Sequence, residues 1–117
     1  MSKLLEELEN YGVDINITLA RFIEDEEFYI ECLDTFKKED NFEMLKKALD
    51  KKDYEDAFNI AHTIKGVVAN LGITKLYDIV FKLVESLRSK DYTSVEKQYE
   101  ESLKEYNNFL KILNNNI

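Results

Sequence analysis

No proline interrupts the 117 residues, and only three glycines, Gly12, Gly66 and Gly72, punctuate them. A chain with so few breakers favours long, uninterrupted helices. Two of the glycines share one stretch with the only histidine: Ala61-His62-Thr63-Ile64-Lys65-Gly66-Val67-Val68-Ala69-Asn70-Leu71-Gly72. The flanks of Gly66 have helical spacing, so this glycine is predicted inside a helix. There it costs about 1 kcal/mol relative to alanine. A sequence that accepts this cost beside its lone histidine points to a helix surface that something approaches closely.

Apolar spacing predicts the remaining elements. Leu4, Leu5 and Leu8 mark a short helix from about Lys3 to Glu9, stopped by Gly12. Asp14 is a candidate N-cap for a second short helix, about Ile15 to Ile23, with Ile15, Leu19, Phe22 and Ile23 apolar. Asp25 is the next cap, and Glu26 and Glu27 suit a helix N-terminus. From there one long helix is predicted to about Lys51, carrying Tyr29, Leu33, Phe36, Leu45, Ala48 and Leu49. Its polar stretch Lys37-Lys38-Glu39-Asp40-Asn41 leaves two helices with a tight break near residue 40 as the alternative. Asp53 caps a helix from about Tyr54 to Leu71, which Gly72 ends in the C′ position. Thr74 caps the next helix, whose stripe is Leu76, Ile79, Val80, Leu83, Val84 and Leu87. Thr93 with Glu96 has the form of a capping box. The last helix, about Ser94 to Leu113, is expected to bury Val95, Tyr99, Leu103, Tyr106, Leu110 and Leu113, with Asn114-Asn115-Asn116 as its frayed end. No segment alternates apolar and polar residues as a half-buried strand would. The predicted fold is all-α: one domain, 1–117, with four long amphipathic helices in an antiparallel bundle and two short N-terminal helices across one end or side.

Charge and composition narrow the function. The net charge is −8, and no basic patch appears, so nucleic acid is excluded as an expected partner. Such a charge keeps a small domain soluble, and a monomer is expected. Cys32 is alone and can form no intramolecular disulfide, which fits a cytoplasmic location. No apolar run approaches a membrane span. The N-terminus Met1-Ser2-Lys3-Leu4-Leu5-Glu6-Glu7 is too acidic for a signal peptide.

On a helical wheel advancing roughly 100° per residue, Ala57, Ile60, Ile64, Val67, Val68 and Leu71 fall opposite His62 and form the core face. Glu55, Phe58, Asn59, Lys65, Gly66 and Ala69 fall within about 60° of it. A lone histidine is usually an idle surface residue or a bonded core residue, and the wheel argues against the core. Metal ligation is poor, because there is no second histidine and Cys32 has no ligand-spaced partner. No motif around a serine or Cys32 supports a nucleophile relayed through His62. The neighbours carry more. Lys65 places a cation on the same face, and Gly66 and Ala69 keep that face low. Phe58 is either an edge aromatic under a neighbouring helix or a docking contact. A neutral imidazole is a good nucleophile near pH 7, and an ammonium offsets charge on phosphoryl oxygens, so the set fits phosphoryl chemistry.

Ala61-His62-Thr63-Ile64-Lys65-Gly66, followed by Asn70-Leu71-Gly72, resembles the signature of histidine-containing phosphotransfer (HPt) domains. The signature is fairly specific, since His, Lys, two Gly and the apolar residues between them must all agree in spacing. Gly12-Val13-Asp14, Leu19-Ala20-Arg21-Phe22, Asp25-Glu26, Tyr29, Leu33 and Phe36 are similar to the N-terminal segment common in bacterial members, which extends the resemblance over nearly the whole chain. It implies a phosphorelay carrier without kinase activity of its own. His62 would take a phosphoryl group from a receiver-domain aspartate and pass it to another receiver. The receivers would be those of response regulators and of a hybrid histidine kinase. Lys65 would stabilise the phosphoryl group, and Gly66, with Ala69, would give the receiver clearance. Phe58, Asn59 and Asn70 are the candidate docking residues. Mg²⁺ would belong to the receiver, and no cofactor or metal is expected on this chain. One departure stands out. Some members carry a glutamine on the facing helix that orients the histidine ring, and the corresponding position here is Val84, with Lys82 and Glu85 nearby.

Two other readings share the motif region. One is the phosphoacceptor domain of a chemotaxis-type histidine kinase, disfavoured because these residues hold no kinase region. The other is a non-phosphorylated helical adaptor that binds receivers, disfavoured because His62 and Lys65 are both present. An acidic helical bundle with no relay role would leave the constellation to chance.

Overall fold

The computed structural model describes residues 2–117, which form seven α-helices: α1 (Lys3–Tyr11), α2 (Ile15–Arg21), α3 (Glu26–Lys38), α4 (Asn41–Asp50), α5 (Tyr54–Leu71), α6 (Thr74–Arg88) and α7 (Val95–Asn116). There is no strand among the described residues. The helices begin where short acceptor side chains are available. Asp14, Asp25 and Asp53 accept hydrogen bonds from the backbone N–H groups of Ile17, Phe28 and Asp56, and Ser2 does the same for Leu5.

Four columns make an antiparallel bundle. Helix α5 packs most extensively on α6, α6 on α7, and α4 on α5; α3 and α4 together form the column that closes the bundle against α5 and α7. The α4–α5 and α6–α7 connections meet at one end, where Tyr54 and Tyr92 stack with ring centroids 3.7 Å apart. The α5–α6 turn lies at the other end, next to α2 and the start of α3. Helix α1 lies on the C-terminal half of α7, tied by Tyr11 to Glu105, by Asn116 to Glu7 and by contact of the Tyr11 and Phe109 rings. The short N-terminal helices therefore cover one end and side of the bundle, as the apolar pattern predicted.

Four local expectations are corrected. The single helix over 26–51 is two helices, the alternative left open at residue 40. Glu39 is extended (φ −75°, ψ 150°), and the Asn41 side chain donates to the Glu39 carboxylate at 2.8 Å across the break. The cause is packing on α7. Tyr106 stacks on Phe42 at 4.3 Å and meets Phe36 edge-on at 5.3 Å. In one continuous helix these two positions would face about 120° apart. The break turns both onto one tyrosine. Thr74 is the first residue of α6 rather than its cap; fully buried Ile73 holds the cap position, with no side-chain cap bond. The Thr93–Glu96 box does not form either, since Ser94 precedes α7 and the Thr93 N–H is taken by the Asp91 carboxylate at 3.2 Å. Hydrogen bonding from Thr93, from its side chain first and its N–H second, holds the Asp91 carboxyl below the usual carboxylate range. Finally, α7 does not fray at Asn114. It runs to Asn116, whose side chain donates to Glu7 at 2.7 Å, and its buried face includes Phe109 while Leu103 and Leu110 are only half-buried.

The turn after α5 is the tightest point. Gly72 has φ +77°, and a Cβ there would collide with the hydroxyl of buried Thr18 on α2. Beside it, the fully buried Tyr29 donates its hydroxyl to the Leu71 carbonyl at 2.9 Å, and burial pushes that hydroxyl far above the ordinary tyrosine range. Gly72→Ala should cost about 2–4 kcal/mol, combining left-handed backbone strain with the Thr18 clash. Tyr29→Phe should cost about 1 kcal/mol by leaving a buried carbonyl unpaired. Urea unfolding followed by circular dichroism measures both.

Candidate functional site

Helix α5 is amphipathic as its spacing requires. Ala57, Ile60, Ile64, Val68 and Leu71 are buried, and Val67 is half-buried. His62, Asn59, Gly66 and Ala69 are exposed on the other face, with Phe58 and Lys65 half-buried at its α6 edge. His62 therefore stands near the middle of the outer stripe. Among the described residues no side chain hydrogen-bonds its imidazole. A Cβ built on Gly66 would meet nothing within 4 Å. The fold itself has no need of that glycine, because a side chain would project into open space.

Two cation–aromatic contacts cross from α5 to α6. Arg88 lies over the Phe58 ring at 5.1 Å, and the Lys65 ammonium lies over the Phe81 ring at 5.5 Å. Phe58 in turn meets His62, with ring centroids 5.8 Å apart and planes tilted by 35°. Arg88 is also held by Glu85, Nε to Oε1 at 3.3 Å. Phe58, His62, Lys65, Phe81 and Arg88 thus form one surface, with Gly66 and Ala69 beside it. Phe81 remains 41% exposed, a large apolar group left open next to the lysine. Further along the stripe, Arg21 of α2 donates from Nη1 to the Ala69 carbonyl at 3.0 Å, placing another cation at the end of α5.

Other candidates fall elsewhere. Asn70 is exposed but lines a groove of about 260 Å³ with Phe22, Cys32, Thr35 and Phe36, on the α3 side of the stripe. Asn59 is turned to the same side by the helix spacing, and its carbonyl accepts from the Thr63 hydroxyl at 3.0 Å. Val84 is fully buried, so it presents nothing polar to the ring, and Glu85 is engaged by Arg88. The Cys32 thiol is pushed up in pKa by burial and then by Glu31, which keeps it protonated and a poor nucleophile near neutral pH. No group of three or more His, Cys, Asp or Glu side chains able to hold a metal gathers among the described residues. A groove of about 690 Å³ lies at the α3–α4 break against α7 and holds none of the motif residues.

This surface offers a free imidazole, a nearby ammonium and a low approach, which is what a phosphoryl acceptor requires of its own chain. The family model of the Hpt domain matches residues 31–111, more than half of the chain. The chain belongs to the Hpt domain family. Hpt domains serve histidine phosphotransfer in two-component signalling; they are phosphocarriers rather than enzymes, and they interact with receiver domains. The match begins within α3, so α1 and α2 lie outside the matched residues. Compared with curated proteins and with solved structures, the chain finds no match. No helix is long and apolar enough to cross a membrane among the described residues.

Sequence reasoning missed Phe81, Arg88 and Arg21. The first two lie on α6 at a spacing of seven, the two-turn repeat of Phe58 and Lys65 on α5, and that repeat is the signal that could have paired them. Arg21 needed the fold of α2 onto α5, which no local pattern encodes. The open space around Gly66 carries a direct expectation. Gly66→Ala should raise stability by about 1 kcal/mol, because it improves helix propensity and meets no clash. A shift of the urea midpoint to higher concentration with an unchanged slope would show it.

Proposed function

We propose that this Hpt domain is a phosphorelay carrier whose phosphoacceptor is His62. The unprotonated ring nitrogen attacks the phosphorus of a receiver aspartyl phosphate. A P–N bond forms as the P–O bond breaks, and the aspartate carboxylate leaves. The reverse step delivers the group to a second receiver. Lys65 leaves its seat over Phe81 and offsets charge on the phosphoryl oxygens. Gly66 and Ala69 leave room for the receiver, which brings its own Mg²⁺. Phe81 adds apolar contact area beside the acceptor. The observation that carries this reading is the isolation of His62 on the outer face of α5, unbonded and flanked by a glycine the fold does not need. Net charge and the lone Cys32 support a cytoplasmic monomer as its working form.

The test is transfer from purified receiver domains radiolabelled by a small phosphodonor. The wild type should acquire acid-labile, alkali-stable phosphate, and His62→Gln should acquire none. Lys65→Ala should slow transfer about tenfold or more without unfolding the protein. Gly66→Leu should stay folded yet lose transfer, since the leucine meets only the partner. Phosphate on His62→Gln would move the site elsewhere, and normal transfer by Gly66→Leu would remove the clearance role.

A further inference from the structure

The two cation–aromatic contacts fix the register of α5 against α6. Phe58 and Lys65 are seven residues apart on one helix, Arg88 and Phe81 seven apart on the other, and each pair meets across the antiparallel seam. His62 is therefore level with Val84, whose side chain is fully buried in the core. Helix α6 cannot hold the imidazole by a hydrogen bond from that level. The neighbouring polar group, Glu85, is committed to Arg88. What does touch the ring is Phe58, one turn before it on α5. Phe58 is itself fixed, half-buried at the seam with the Arg88 guanidinium over its ring.

We propose that Phe58, held by Arg88, is the positioning residue of the His62 imidazole. The inference rests on His62 being the phosphoacceptor. The order of support is Glu85 to Arg88 to Phe58 to His62. Each link is a contact between neighbouring side chains, and the last is aromatic rather than polar. Contact between two rings at 5.8 Å restricts the imidazole rotamers without occupying either ring nitrogen. A hydrogen-bonded ring has one nitrogen committed to its partner. Here no side chain among the described residues bonds either nitrogen, and orientation comes from shape. Phe58 thus belongs to the acceptor itself, and its effect persists when no receiver is present.

The experiment removes the receiver. Phosphoramidate can phosphorylate an accessible imidazole directly: its P–N bond breaks as the bond to the ring nitrogen forms, and ammonia leaves. Wild type, Phe58→Leu, Phe58→Tyr and Arg88→Gln are compared for the rate of acid-labile phosphate uptake. Their His62 side-chain couplings and ring proton shifts are read by NMR. Phe58→Leu keeps an apolar group at the seam and should stay folded. Its uptake rate should fall about tenfold, and its His62 couplings should average over rotamers. Phe58→Tyr should stay within about twofold of wild type, and Arg88→Gln should fall between the two. If either the rate or the couplings of Phe58→Leu match wild type, the positioning role is overturned. A wild type that takes up no phosphate while His62→Gln behaves identically would instead overturn the phosphoacceptor reading on which the proposal stands.

Discussion

The left-handed turn at Gly72 sets the register between α5 and α6, and every side chain around His62 inherits its position from that register. The turn is held from three directions. Gly72 accepts a φ that other residues resist, Thr18 of α2 fills the space where its Cβ would be, and Tyr29 of α3 ties the Leu71 carbonyl. With one residue, Ile73, completing the connection, the helices leave the turn in fixed phase. Phe81 then comes level with Lys65 and Arg88 with Phe58. A shift of one residue on α6 would rotate both partners about 100° away and dissolve the surface. The parts of the chain outside the family match are thus not idle: α2 buttresses the turn that phases the site.

The site is built where the fold gives up stability. Gly66 weakens the middle of α5, and Phe81 leaves apolar area in water. Neither feature helps the isolated protein. Both become favourable when another surface covers the stripe, because the glycine permits close approach and the phenylalanine supplies area to bury. The core is packed more fully. Tyr106 gathers Phe36 and Phe42, and Tyr29 and Tyr99 bond backbone carbonyls at 2.9 Å. Buried tyrosines with hydroxyls paired to the backbone join packing to polar satisfaction, so the bundle tolerates an exposed, unsatisfied stripe on one side.

Much of this was legible in the residues. Helical class followed from the missing prolines and the 3–4 spacing, and the outward placement of His62 followed from the wheel. The caps at Asp14, Asp25 and Asp53 and the stop at Gly72 were local chemistry, which a sequence states directly. What was not legible depended on residues distant in the chain. The break at Glu39 exists because Tyr106, far along α7, collects two phenylalanines. Thr74 and Thr93 have the right type for caps, but burial of Ile73 and the Asp91 carboxylate took precedence. At the site, the histidine, lysine and glycine could be read from one helix. Phe81 and Arg88 could not, since their meaning comes only from the α6 face they share with α5.

The electrostatics of the stripe run against those of the whole. The protein carries a net charge of −8, yet the charged side chains gathered at the α5–α6 seam beside His62 are Lys65 and Arg88, with Glu85 neutralising only the latter. Arg21 adds a cation where α5 ends, and Glu55, two turns before His62, is the acidic exception on that face. Because the Debye length near physiological salt is about 8 Å, the distant acidic surface is screened at the stripe while its own cations are not. A phosphoryl group on the proposed acceptor would meet the local charge, not the net one. The two cations are also held differently. Arg88 is fixed by both a carboxylate and a ring, which suits a structural role. The Lys65 ammonium lies over the face of Phe81 with no carboxylate partner among the described residues, a contact weak enough to leave it available for the proposed phosphoryl group. The same aromatic residue types therefore serve opposite ends on the two sides of His62: Phe58 is held in place, and Phe81 keeps Lys65 near without binding it tightly.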